Sequence, residues 1–441
     1  MQLKDALNPQ SVYQVVLKRK LGEGSQAEVY EIDQPGGHQG SWVLKLYRTS
    51  LQSPAGRHLV GVVQYLCQRF ENNGHPALSL PQHVVVAEQD GRVGCLMPKA
   101  VGEPLSDPIY EQLYQDRRGL AARLQVALWL AEGLAALHRH HFVHADVMEP
   151  NVFVDLLTLR LTLVDVDGGG VLTAPLSGAY QPGMAPLVRG RFEGSCLAPE
   201  LVTNVARLPD LASDRWSLAV LLHRILFAGL DPFFFVRAYK EVVNLGATWP
   251  PDGRYQRSSN AWFHFQEAEL RRLGEELAQL FRATFNIAGA RNPKASVDRL
   301  RPYAEEWARA LDIARRWVLR CRKCGEEIVA TGRSTCPFCQ TWLPHAEALI
   351  PGKKVILNRE GISLLGRDLG FTDLEGRYEA LSFRRHGGRL LLSSQGNLRI
   401  TRRALWSGPV HTPLMLDPGL HMLRVRSRSG LQEAEVAIHV P

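Results

Sequence analysis

Seven cysteines in 441 residues are too few for a disulfide scaffold, and the number is odd. Long apolar runs are missing too: the longest uncharged stretch, Gly168 to Val188, is broken by glycines and prolines. The opening MQLKDALNPQ lacks the apolar stretch of a signal peptide. Neither a membrane span nor secretion is expected, and the cytoplasm is the expected compartment. Internal repeats and low-complexity tracts are absent, which argues against a solenoid and against disorder. No basic run interleaved with aromatics accompanies the net charge of +8. From Pro351 onward 14 Lys plus Arg face 8 Asp plus Glu, a difference of +6, so most of the basicity belongs to the tail. Such a face can attract nucleic acid, phosphorylated protein or anionic lipid, or simply be solvated.

With 45% hydrophobic and 22% charged residues there is ample material for a core, and at ~100–200 residues per domain the length predicts about two to four domains. Up to about residue 100 the chain reads as short strands, Gln14 to Leu21, Ala27 to Asp33, Trp42 to Tyr47, Val84 to Glu88 and Gly94 to Pro98, separated by turn sequences such as QPGGHQG and EQDG. From Arg118 the texture turns helical. Leu120, Leu124, Ala127, Ala131 and Leu134 predict one apolar stripe. Further helices are predicted at Gly56 to Phe70, Trp216 to Phe227, Glu267 to Thr284 and Pro302 to Arg320. The region 353–441 returns to short alternating strands with Gly turns, as in a small all-β domain.

LGEGSQAEVYEI at 21–32 places glycines where backbone amides can approach a phosphate. Because Val29 to Ile32 reads as a strand that turns back, the loop is a hairpin flap rather than the opening of a helix. The next strand, WVLKLY, sets Lys45 between apolar neighbours, where an ammonium is costly unless it meets anionic oxygens; taken alone it also fits a snorkelling edge-strand lysine. HFVHADVMEPNVFVD and LTLVDVDGGG then supply Asp146, Asn151 and Asp165. One carboxylate can orient a hydroxyl proton, while an amide and a second carboxylate offer hard oxygens to magnesium. Each group singly is ordinary loop-capping chemistry. The three in this order, after a glycine flap and a strand lysine, point to phosphoryl transfer.

On these residues the chain resembles the eukaryotic-type protein kinase superfamily across roughly 11–310. AEGLAALHRHHFVHADVMEPN is similar to the helix and catalytic loop of that family, SCLAPE to its A-P-E element, SDRWSLAVLLHRIL to its D-x-W-S-x-G helix, and RLRPYAEEW to its late arginine element. The resemblance implies an α+β, bilobal protein-kinase-like domain at 1–310, with a β-rich N-lobe at about 11–98 and a helical C-lobe at about 99–310. It implies that Leu21, Gly22, Gly24, Val29 and Lys45 bind ATP, that Asp146 with Lys45 is catalytic, and that Asn151 and Asp165 hold Mg2+. It implies structural roles for Asp214 and for a Glu200–Arg301 pair, and an adenine-binding hinge near LMPKA at 96–100. Departures are plain: His144-Ala145-Asp146 lacks the usual arginine, Met148 replaces the catalytic-loop lysine, and Asp165-Val166-Asp167 loses the glycine. Helix 56–70 holds no acid to pair with Lys45, with Gln64 at about the right distance, and Ser195 is the nearest match to the threonine before A-P-E. These departures resemble a bacterial branch whose kinases are encoded with a von Willebrand A protein and a metal-dependent phosphatase, which would be the partners beside a protein substrate.

CRKCGEEIVATGRSTCPFC has two C-x2-C pairs, and Cys321, Cys324, Cys336 and Cys339 resemble a structural zinc ribbon. It follows a helical linker within 311–345, while Cys67, Cys95 and Cys196 read as core or loop residues. The tail, 350–441, faintly resembles a forkhead-associated β-sandwich through Gly366-Arg367, without that family's S-x-x-H and S-x-N-G features. Arg367 fits a phosphate reader or a surface salt bridge. Three functions compete: a cytosolic Ser/Thr kinase using ATP, Mg2+ and Zn2+; a nucleotide-binding pseudokinase scaffold that docks a partner; and a zinc-ribbon nucleic-acid protein, which the sequence favours least.

Overall fold

The computed structural model describes residues 1–441 apart from 9, 25, 34–39, 71–73, 175–178, 187–195, 204–207, 236–248, 250–260, 286–300, 331–332, 334, 342, 344–346, 351–352, 357–361, 373–378, 387–388, 395–397, 403–404, 411–413, 418, 428 and 441. The chain forms two compact units, Met1–Glu269 with Glu275–Asp312, and Leu270–Gly274 with Ile313–Pro441.

The first unit begins with a seven-stranded antiparallel sheet. Its strands are β1 (Gln2–Asp5), β2 (Val12–Gln14), β3 (Leu17–Glu23), β4 (Ala27–Ile32), β5 (Trp42–Ser50), β6 (His83–Ala87) and β7 (Arg92–Pro98), in the order β2-β1-β6-β7-β5-β4-β3. The period of two along β5 decides the faces. Trp42, Leu44 and Leu46 join Leu3, Val85 and Leu96 in one apolar cluster, while Val43 and Tyr47 join the opposite cluster with Leu59 and Val63 of α1 (Pro54–Arg69). Alternation therefore puts Lys45 on the face that α1 covers. The Ser53 side chain caps α1 by accepting from Gly56 N at 2.9 Å, with Pro54 just inside the helix.

The helical part follows: α2 (Asp107–Gln115), α3 (Leu120–His138), α4 (Pro199–Thr203), α5 (Leu211–Leu226), α6 (Ala261–Leu273), α7 (Glu275–Phe285) and α8 (Ala304–Arg316). Short strands β8 (Glu103–Pro104), β9 (Phe142–Val143), β10 (Val152–Asp155), β11 (Arg160–Leu163) and β12 (Gly170–Val171) form two small sheets that carry the central loops. α3 packs against α2, α5, β9 and β11 and is buried on all sides, Leu128, Leu130 and Leu137 as fully as the predicted stripe. It is long and apolar enough to cross a membrane by length and composition, but it serves as the core helix of this unit.

In the second unit β13 (Val318–Arg320) pairs with β14 (Glu327–Val329). A six-stranded and a four-stranded antiparallel sheet then share one core, in which Ala348, Ile350, Leu423, Val425 and Val436 meet Leu364, Leu381, Phe383 and Leu392. Gly366 and Arg367 lie in a single 3-10 turn whose Asp368 accepts from Leu365 N at 2.9 Å and pairs with Arg316 at 2.6 Å.

Several sequence expectations need correction. The sheet starts at Gln2, ahead of the first predicted strand at Gln14, because fully buried Leu3 needs the core and the Met1 ammonium donates to Val15 O at 2.7 Å. The single helix expected over Glu267 to Thr284 is two, α6 and α7, broken at Gly274 with φ +87°. Apolar periodicity runs across that break and hides it. The helix expected to reach Arg320 stops at Arg316, since Val318–Arg320 pairs as a strand. Lys45 is not on an edge: β5 lies between β7 and β4.

Candidate active site

β3 and β4 form the predicted hairpin, with Gly24 N donating to Ala27 O at 2.9 Å. A Cβ on Gly22 would meet nothing within 4 Å, and one on Gly24 only Ala27 O at 3.8 Å. Among the described residues, packing therefore does not demand glycine there, and the backbone is left open to close approach by a ligand. Leu21 and Val29 sit on the two strands of this flap, Leu21 exposed and Val29 half-buried. Ser195, in the segment before A-P-E, lies outside the described residues.

Beneath the flap Lys45 meets two carboxylates. Its Nζ contacts Asp165 Oδ1 and lies 3.0 Å from Asp167 Oδ2. Burial disfavours the ammonium, but the charges of Asp167 and Asp165 outweigh it and hold the Lys45 pKa above the usual lysine value. Burial pushes the Asp165 carboxyl the other way, yet the neighbouring ammonium wins and its pKa falls below the ordinary aspartate value. Asp165 occupies the left-handed region, φ 64° and ψ 29°, at the entrance to a 3-10 turn, Val166–Gly168. The sequence reading gave Asp167 no role; its signal was an acid two residues after Asp165 in a chain whose α1 has none. Gln64 is exposed, so the substitute suggested by spacing does not serve.

The loop from β9 to β10 carries Asp146 and Asn151. The Asn151 amide donates to Asp146 Oδ2 at 2.8 Å and to Asp146 O at 2.9 Å, which turns its own carbonyl oxygen away from Asp146. Asn151 O accepts from Val164 N at 2.9 Å, and His144 Nε2 bonds Val164 O at 2.9 Å. The residue before Asp165 is thus tied twice to the loop that holds Asp146 and Asn151. Crowding by the surrounding protein raises the Asp146 pKa, against the opposing influence of His144 and the Asn151 hydrogen bond.

Buried Asp214 of α5 anchors the loop from below, accepting from His144 N at 2.7 Å and Ala145 N at 3.0 Å, with His138 Nε2 at 3.2 Å. Arg301 and Glu200 form the expected bidentate pair at 2.7 and 2.8 Å, and Arg301 also donates to Ala212 O at 2.8 Å. Near Met148, Arg224 pairs with Glu149 and with Asp231. Segment 96–100 runs off the end of β7, where Ser79 Oγ donates to Pro98 O at 2.7 Å and Lys99 N to Ser41 O at 2.8 Å.

Asp165 and the Asn151 carbonyl are hard oxygen donors suited to magnesium, and the open space at the glycines with a cation beneath suits a triphosphate. In the second unit the four predicted cysteine sulfurs lie within 4.8 Å of one another. Cys321–Cys339 and Cys324–Cys336 are each 3.6 Å apart, too long for disulfides, while a tetrahedron with Zn–S of ~2.3 Å has edges of about 3.8 Å. The donor set and spacing are compatible with zinc. Of the other cysteines, Cys95 and Cys196 are buried and Cys67 is half-buried.

A sheet capped by one helix, a helical part beneath it, and a lysine and carboxylates converging between them define a protein-kinase-like fold. The family model for protein tyrosine and serine/threonine kinases matches residues 15–248, just over half of the chain, which belongs to that family. Similar curated proteins include the serine/threonine-protein kinase pkn2 of Myxococcus xanthus, 29% identical over 222 residues that cover 49% of this chain and 24% of that protein. A calcium and calcium/calmodulin-dependent serine/threonine-protein kinase of Lilium longiflorum is 33% identical over 119 residues, 27% of this chain and 21% of that protein. The chain thus spans about a quarter or less of the length of these relatives.

Proposed function

We propose that this protein is a Ser/Thr kinase of bacterial signalling that moves the γ-phosphoryl group of ATP to protein hydroxyls. The observation that supports the reading is the pairing of Lys45 with Asp165 and of Asn151 with Asp146, the two pairs tied together through Val164, on a lysine strand that neighbours the glycine hairpin. Bound ATP with Mg2+ supplies the transferable phosphoryl group and an electrophilic, charge-compensated phosphorus. Gly22 and Gly24 leave the backbone of the flap open to the phosphates, and Lys45 offers its ammonium to phosphate oxygens in place of its contact with Asp165. Asp165 and the Asn151 carbonyl hold the metal. Asp146, held by the Asn151 amide, orients the acceptor hydroxyl and takes its proton. Positioning and charge stabilisation do most of this work.

In the same reading the four cysteines hold a structural zinc, the β-sandwich is a docking module, and the protein acts in the cytoplasm. Membership of the von Willebrand A and phosphatase branch, with those two proteins as partners, rests on the loop sequences HADVMEPN and DVD; a genomic neighbourhood lacking both genes removes its basis. The test of the central claim is Mg2+-dependent transfer of labelled phosphate to the chain itself and to a generic protein acceptor, beside Asp165→Ala. Transfer well above the variant is expected, and equal signal in both sinks the proposal.

A second reading has its own observations: Met148 in the catalytic loop and an α1 without any acid favour a pseudokinase scaffold. Thermal stabilisation by nucleotide with no transfer is its signature.

A further inference from the structure

The face of β5 that carries Lys45 looks toward α1, yet the α1 sequence PAGRHLVGVVQYLCQR contains no acid. A cation enclosed there needs a carboxylate from elsewhere. Two are present, and they differ. The Asp165 side chain is 37% exposed, whereas that of Asp167 is 1% exposed. Among the described residues neither Asp167 oxygen has a hydrogen-bond partner, so its ion pair with Lys45, at 3.0 Å, is its one polar contact.

The turn that bears Asp167 is held from several sides. α1 packs directly on Val166–Gly168, Val166 is fully buried, and Gly169 N donates to Val166 O at 3.1 Å. Gly169 itself lies so close to β9 that a Cβ would stand 2.4 Å from Val143 O. Asp165 can turn toward a metal; Asp167, enclosed and otherwise unbonded, has only Lys45 to answer.

We propose that Asp167 is the positioning residue for Lys45, the resident carboxylate that keeps the ammonium aimed into the cleft when Asp165 engages a metal. The proposal deepens the kinase reading and rests on it for its nucleotide. The partner that an α1 acid would provide comes instead from the metal-binding turn itself. Placement of Lys45 is then coupled to the conformation of 165–168 and needs only packing, not charge, from α1.

The experiment is a double-mutant cycle on the full chain: wild type, Lys45→Met, Asp167→Asn and both together, with Asp165→Asn as a reference. Unfolding midpoints and ATP affinity are measured in EDTA and in Mg2+, with kcat and KM for ATP where transfer occurs. Each single change is expected to lower the midpoint, and the double variant to recover part of the loss. Asp167→Asn should weaken ATP binding about tenfold with or without metal, through KM more than kcat, and add nothing in the Lys45→Met background. Asp165→Asn should weaken binding only in Mg2+, and Asp167→Glu should restore part of the affinity. Additive midpoints, or an unchanged ATP affinity in Asp167→Asn, overturn the inference even if the wild type transfers phosphate. Coupled midpoints and nucleotide binding without any transfer overturn the kinase reading and leave this one standing. Should Asp167→Asn alone fail to fold, a folded double variant supports the pairing and an unfolded one beside folded Lys45→Met counts against it.

Discussion

Ala145 holds a backbone angle of φ 69° without being glycine, directly before Asp146. That conformation costs an L-residue roughly 1–2 kcal/mol, so something must hold it. The Asp214 carboxylate does so by accepting from both His144 N and Ala145 N. Asp214→Asn keeps the shape but removes the charge and one acceptor, leaving a buried amide opposed to a donor. The expected loss is about 1.5–3 kcal/mol of stability with a marked fall in transfer rate, read from urea unfolding and the labelled-phosphate assay. An unchanged urea midpoint would show that the loop keeps its form without this anchor.

Among the elements, α5 carries a histidine whose state is set by burial. His223 Nδ1 donates to Leu230 O at 2.8 Å, and Gln266 Nε2 donates to His223 Nε2 at 3.2 Å, which defines a neutral ring. Burial drives its pKa down from 6.5 to about 3. Because the folded value lies below the unfolded one, the stabilisation is present above pH 6.5 and drains away as pH falls toward 3. His223→Gln can keep both hydrogen bonds without titrating. Its urea midpoint should fall less steeply than that of the wild type between pH 6.5 and 5, a window above the ordinary carboxylate range; parallel slopes would show that His223 does not govern it. The break between α6 and α7 makes a second prediction. A Cβ on Gly274 would touch nothing closer than Val329 at 3.8 Å, so Gly274→Ala pays only for its φ of +87°. The cost should be about 1 kcal/mol, measured by urea unfolding, and a stabilised variant would mean that one continuous helix is the better structure.

For the whole molecule, the two units use different means of cohesion. The first buries a large apolar core around α3 and α5. The second surrounds its cysteines with only a small cluster, Leu319, Ile328, Ala330 and Leu343, in which metal binding should supply much of the folding energy. Metal analysis of the purified chain should find about one zinc. Chelation should raise hydrogen exchange in Val318–Arg320 and Glu327–Val329 while sparing α3. A folded chain without zinc or iron contradicts this.

The sequence by itself determined what depends on local order: the glycine flap, the strand lysine, Asp146 and Asn151 five residues apart, and the C-x2-C pairs, because turns and strands a few residues long dictate such spacings. Glu200 and Arg301 were also legible, though only through resemblance, since their separation of 101 residues leaves no local trace. Tertiary structure alone decided which carboxylate meets Lys45. Asp167 lies more than a hundred residues away and becomes its partner only through burial of the turn under α1, a consequence of packing that no spacing encodes. The same holds for the strand at Gln2–Asp5, recruited by the need of Leu3 for a core, and for the ends of α6 and α8, where a backbone angle and a strand pairing overrule a helical pattern.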